Sequence, residues 1–154
     1  MMTTLNAIRA HQPCADGWAK LLCHLGKTQA DDEPLAITTI LDSNELDDAL
    51  WCLRAVEGHG REIRLYAVWC ARQVQHLMTD PRSIAALDVA ERFANGEATQ
   101  GELDAAWDAA GAAANAARAA ARGGAWDAAR AAQATRLREI CAECDALRSA
   151  LGEE

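Results

Sequence analysis

Cys141 and Cys144 form a CxxC, the spacing of half a zinc site or of a redox pair. Leu137, Ile140 and Leu147 set both thiols on or beside one apolar helix face, where a free cysteine behaves as a small hydrophobe, so packing is the expected role. His11 and Cys14 could complete a four-ligand set with them, but that requires the two ends of the chain to meet, and no second CxxC supports it. Cys23 beside His24 suggests a nucleophile and its base, yet adjacent residues on a helix point about 100° apart, too far for one to deprotonate the other. Cys52 and Cys70 sit in apolar helical stretches and read as core. His59 in a Gly-His-Gly turn and His76 farther on have no carboxylate at a fixed spacing, so surface or structural roles are expected for both. The chain contains no GxxxxGK[ST], GxSxG or HExxH. No catalytic residue, metal ligand or cofactor is therefore expected, and a Cys/His metal protein or enzyme is the minority reading.

The densest charge feature is acidic: Asp31, Asp32, Glu33, Asp42, Glu45, Asp47 and Asp48. Such a run reads either as solvated helix caps or as a docking surface for a basic protein, and the seven residues are the expected partner-binding set. A formal charge of −8 disfavours direct nucleic-acid binding, which needs a basic surface. With fifteen Lys and Arg interspersed, that charge is also mild for a mimic of the phosphate ladder.

The elements that must hold these residues are helical. Thr4 can start a short helix ending at Pro13, Asp16 can cap the next, and Gly26 is its natural left-handed stop. PLAITTIL is expected as a short helix after Pro34, with a buried strand as the competing assignment, although no partner strand is evident. Ser43 or Asn44 can cap ELDDALWCLRAVE, with Gly58 beyond its end. REIRLYAVWCARQVQHLM is apolar on nearly every side and is expected in the middle of a bundle. Asp80 and Pro81 open a helix carrying Ile84, Leu87, Ala90, Phe93 and Ala94 on one face, stopped at Asn95 and Gly96. Thr99 and Glu102 stand at capping-box spacing before the alanine-rich helix, whose Asp104, Asp108, Gly111, Asn115, Arg118 and Arg122 make one polar stripe. Gly123 and Gly124 suggest a hairpin, an uninterrupted helix being the alternative. Gln133, Leu137, Ile140, Cys144, Leu147 and Leu151 then form a heptad-like seam.

Helix formers dominate, β-branched residues are sparse, and 51% apolar with 25% charged residues can support a core. The expectation is an all-α, compact single-domain helical bundle over 1–154 with an Ala-rich C-terminal hairpin: N-terminal helices and the acidic face in 1–80, the Ala-rich and heptad-like helices in 81–154. Charges interrupt the apolar stretch at 105–134, so no membrane span is expected. The start MMTTLNAIRAHQP lacks a secretory pattern, so a cytoplasmic protein with its six cysteines reduced is expected. The alanine face and the terminal seam offer more apolar surface than a hairpin needs, and a homodimer through Trp107, Leu137, Ile140 and Leu147 is expected from them.

The run PCADGWAKLLCHLGKTQADDEPLAITTILDSNELDDALWCLRAVEGHGREIRLYAVWCARQVQHLMTDPRS resembles small proteins carried by phages and mobile elements. DPRSIAALDVAERFANGEAT with the alanine-rich helices after it is similar to that group and to putative immunity proteins. Within the group the chain most resembles type I-F anti-CRISPR proteins. That resemblance implies stoichiometric inhibition of a Cas protein of a type I-F system in the cytoplasm of a host bacterium, preferably the helicase-nuclease and otherwise the surveillance complex. It carries over no catalytic residue. An immunity or antitoxin-like protein that neutralises a toxin is the alternative.

Overall fold

The computed structural model describes residues 1–78, 80–108 and 126–151, the side chains of residues 126, 127 and 151 excepted. The fold is all-α with one two-stranded sheet among the described residues. The order is β1 (Met2–Thr3), α1 (Leu5–Ala10), α2 (Ala15–Leu25), β2 (Leu35–Ala36), α3 (Ile37–Cys52), α4 (Gly60–Gln73), α5 (Pro81–Ala94), α6 (residues 100–108) and α7 (Trp126–Leu151). Short 3-10 turns, Leu53–Ala55 and Gln75–Leu77, follow α3 and α4. No described helix is long and apolar enough to cross a membrane. The contacts divide the chain into two compact units, one of Met1–His59 with Ala132–Glu154, the other of Gly60–Ala131. Residue 80 thus falls inside the second unit.

In the first unit the helix ends follow local chemistry. Thr4 Oγ1 accepts the Ala7 N–H at 3.0 Å and starts α1, which buries Leu5 and Ile8. The cap of α2 is Cys14, whose Sγ accepts from Gly17 N at 3.4 Å. Asp16, expected in that place, lies inside the first turn, where its charge still favours the helix dipole. Gly26 ends α2 at φ 65°, in the left-handed region that glycine enters without a Cβ clash.

PLAITTIL divides between the two assignments. Leu35–Ala36 pairs antiparallel with Met2–Thr3, with Met2 opposite Ala36 and Thr3 opposite Leu35, and the helix begins at Ile37. The partner strand is the chain's own start. The buried Thr3 hydroxyl donates to Ala55 O at 2.6 Å, tying β1 to the turn after α3.

This unit buries Leu5, Ile8, Leu21, Ile37, Ile40, Leu46 and Ala49, and from α7 it buries Leu137, Ile140, Cys141 and Cys144. The seam of α7 therefore runs 137, 140, 141, 144, one helical stripe, and stops there: Leu147 is 63% exposed. Leu137 and Ile140 belong to this chain's own core and are not open to a second copy, which corrects their assignment to a dimer interface. Exposed Leu147 and Trp107 are the two of that set that remain at the surface.

In the second unit α4 packs on α5, and the core is Val68, Ala90 and Leu103 with Val89 and Phe93 against it. Arg72 reaches Asp88 at 2.6 Å and Glu91 at 2.9 Å, and the Arg64 guanidinium lies 4.7 Å from the Phe93 ring centroid. Asp80 caps α5 by accepting from Arg82 N at 2.9 Å, and Pro81 follows in the first turn. The Arg82 side chain and that N–H hold the Asp80 carboxyl down to about 2. Thr99 N donates to Glu102 Oε2 at 2.8 Å and Glu102 N to Thr99 Oγ1 at 3.3 Å, a closed capping box. The expectation for α4 is corrected: only Tyr66 and Val68 are buried on it, and Val74 and Leu77 beyond it are exposed. With so few large side chains to lay across α4, Ile63, Leu65, Trp69 and Cys70 are only half covered. The stripe from Gly111 to Arg122 and the diglycine hairpin lie outside the described residues.

Leu137→Ala is expected to destabilise the protein by about 2 to 5 kcal/mol, because a fully buried leucine leaves a cavity, whereas Leu147→Ala should stay within about 0.5 kcal/mol. Urea unfolding followed by circular dichroism checks both, and equal effects would contradict the separate roles of the two leucines.

Candidate functional site

Midway along α3 the backbone leaves helical geometry at Glu45, with φ 73° and ψ 180°. Only glycine enters that region freely, and holding another residue there costs about 1 to 3 kcal/mol. Where a cap is expected at Ser43 or Asn44, the chain instead carries one helical segment into the next across a kink. The kink is set beside a buried carboxamide. Asn44 Nδ2 donates to Gly17 O and to Asp48 Oδ2, both at 2.8 Å, and Ser43 Oγ donates to Asn44 Oδ1 at 2.8 Å. A buried amide without such partners would cost several kcal/mol, roughly, so this network ties α2 to α3. Gly17 is required by the same contact: a Cβ there would meet Asp48 Oδ2 at 2.7 Å and Cys14 Sγ at 3.1 Å.

A cleft of about 100 Å³ opens beside the network, with Trp18, Trp51, Asp48, Asn44, Cys14 and Cys52 among its walls. Trp18 and Trp51 are half-buried and bring large apolar faces from α2 and α3. The Arg54 guanidinium lies 4.3 Å from the Trp51 ring centroid. Burial, and then the Asp48 charge, push the Cys52 thiol up to about 12. A larger groove, about 940 Å³, includes Thr3, Thr4, Glu57, Asp145 and Arg148 among its lining. Its Asp145 is engaged by the Met1 ammonium at 2.9 Å, and its charges are of both signs.

The seven acidic residues meet different fates. Lys27 pairs with Asp31 and Glu33, and this pairing lowers the Asp31 carboxyl below its ordinary value. Asp31 also shapes its loop, accepting from Glu33 N at 3.2 Å through Oδ1 and from Asn6 N at 3.0 Å through its carbonyl. Asp42 takes Arg138 of α7 at 2.6 Å. Asp48 is bound into the Asn44 network. Exposed Asp32 has no partner among the described residues, Lys20 stands 4.0 Å from Glu45, and Asp47 is exposed on α3. Lys27, Lys20 and Arg138 thus face Asp31, Glu33, Glu45 and Asp42, and on α3 the Glu45 side chain is 84% exposed, with Asp47 also at the surface. The sequence pointed to Asn44 only as a cap and did not point to Trp18, Trp51 or Gly17. The available signal was one tryptophan in each of α2 and α3, each within four residues of an acid.

Cys141 and Cys144 are buried, as packing requires, whereas Cys14 and Cys23 are exposed. No group of three His, Cys, Asp or Glu among the described residues is placed to hold a metal. His11, His24 and His76 are exposed and His59 is half-buried. No protein-family model, curated protein or solved structure matches this chain.

Glu45→Gly removes the left-handed strain at a smaller cost in unfolded-chain freedom, so it should stabilise the fold by about 1 kcal/mol. Destabilisation in a urea titration would mean that the kink is not strained. The thiols predict an alkaline limit: unfolding frees Cys52 to ionise near 9, while the folded chain holds its proton to about 12. Stability from this group is complete below pH 9 and is lost as pH rises towards 12. Burial raises Cys70 and Cys141 in the same direction. Melting temperature should fall above pH 9, and Cys52→Ala should flatten that fall; an identical slope in the variant would remove Cys52 as a cause.

Proposed function

We propose that this protein is a non-catalytic inhibitor that works by stoichiometric binding, docking the exposed acids of α3 and the preceding loop on a basic protein surface. The partner class comes from the sequence resemblance: a Cas protein of a type I-F system, the helicase-nuclease before the surveillance complex. The observation that carries the docking surface is the placement of Glu45 and Asp47 on a backbone fixed by the buried Asn44 network. Charges on a rigid element lose little freedom on binding, and a nucleic-acid-handling partner presents the complementary sign. Asp31, Glu33 and Asp42 hold their cations within hydrogen-bonding distance and add less, whereas Lys20 stands 4.0 Å from the 84% exposed Glu45 side chain.

Glu45→Lys with Asp47→Lys reverses the outward charges without touching Asp48, whose loss would unbalance the Asn44 network. In a reconstituted type I-F cleavage assay the wild type should block target-DNA cleavage at near-equimolar dose, and the folded double variant should need about tenfold more. The wild-type association should weaken with salt, since exposed charges are screened over about 8 Å at physiological ionic strength. No inhibition by the wild type would remove the partner; full potency of the variant would remove the surface.

A further inference from the structure

We infer that the cleft between α2 and α3 receives one lysine side chain of the protein partner, its stem lying between Trp18 and Trp51 and its ammonium reaching Asp48. The inference rests on the protein-binding reading and names the contact at its centre. Size comes first: about 100 Å³ is well below the 300 to 1,000 Å³ or so of nucleotide and cofactor pockets, and is of the order of a single extended side chain.

Hydrogen-bonding capacity comes second. Asn44 has both amide hydrogens committed, one to Gly17 O and one to Asp48 Oδ2, so it has none left for an anion or a carbonyl. What the polar end of the cleft offers is acceptor capacity on a carboxylate, and the ligand must therefore bring donors.

Charge comes third. Asp48 borders a partly dry space, since burial first and the Asp48 charge second raise the neighbouring Cys52 thiol, and a cation is the species its field favours. The Arg54 guanidinium over Trp51 shows that this ring accepts a cation on one face, and Trp18 offers a second indole wall that carries no cation among the described residues. Lysine fits better than arginine because Asp48 Oδ2 is occupied by Asn44, leaving Oδ1 to meet a point charge rather than the two parallel oxygens that a guanidinium fork prefers.

The probe is butylammonium chloride, a lysine side chain without its backbone, compared with 1-butanol as its neutral analogue. The readout is the indole signals of Trp18 and Trp51 in the full-length protein by NMR. Butylammonium should shift both saturably, in the millimolar range, at least about tenfold more tightly than butanol, and Asp48→Asn should lose that preference while keeping its circular dichroism. Should Asp48→Asn fail to fold, Trp18→Phe decides, with an expected weakening of about threefold from the poorer cation–π face. Butanol binding as well as butylammonium, the absence of a saturable shift, or unchanged affinity in the folded variants overturns the inference.

The two readings fail separately. Butylammonium binding by a protein that inhibits no type I-F effector leaves the cleft and removes the inhibitor. Inhibition that depends on Glu45 and Asp47, without butylammonium binding, leaves the docking surface and removes the lysine.

Discussion

A carboxamide shut away from water must find its partners inside the protein, and Asn44 finds them on two helices at once. Its bond to the Gly17 carbonyl fixes where α2 crosses α3, and its bond to Asp48 fixes the turn of α3 beyond the kink. The rest of this region follows from that constraint. Position 17 must lack a Cβ, Glu45 is held in backbone geometry that a helix would not choose, and the carboxylate of Asp48 is kept beside two tryptophans instead of turning to solvent. A network of this kind gains little net energy over an apolar contact of the same size, but it specifies one arrangement, because a shifted register would leave the amide unsatisfied.

What could be read from the sequence was what is encoded within four or five residues. Thr4, Gly26, Asp80 with Pro81, Asn95 with Gly96, and Thr99 with Glu102 all end or begin helices where their side chains or backbone freedom dictate. Apart from the α2 cap, which moved two residues from Asp16 to Cys14, the main failures come from distance along the chain. The strand at Leu35 depends on residues more than thirty positions earlier, and Asp42 is neutralised by Arg138 on the last helix. Near 44 the local signal was correct in kind, a polar interruption between two helical segments. Its outcome was decided by Gly17, which no window around Asn44 contains. The acidic group likewise looked uniform in sequence because carboxylates are alike until their cations are placed.

The second unit is held differently. Its apolar core is small, and much of its definition comes from arginines laid across neighbouring helices: Arg72 to Asp88 and Glu91, Arg64 over Phe93, Arg61 to Asn95. Exposed ion pairs contribute little individually, yet a guanidinium shared by two carboxylates on successive turns fixes rotation as well as distance.

The first unit is assembled from both ends of the chain, whereas the second is one continuous stretch between them. During synthesis the continuous unit has all its residues at hand as soon as it leaves the ribosome, and it closes mainly local contacts. The discontinuous one must wait. Until Leu137, Ile140, Cys141 and Cys144 emerge, the apolar surface those side chains will cover stays open, and the Met1 ammonium waits for a carboxylate 144 positions away. The order of completion is therefore the reverse of the order in which these residues are made: the unit that contains residue 1 closes only after Leu137 to Cys144 have emerged.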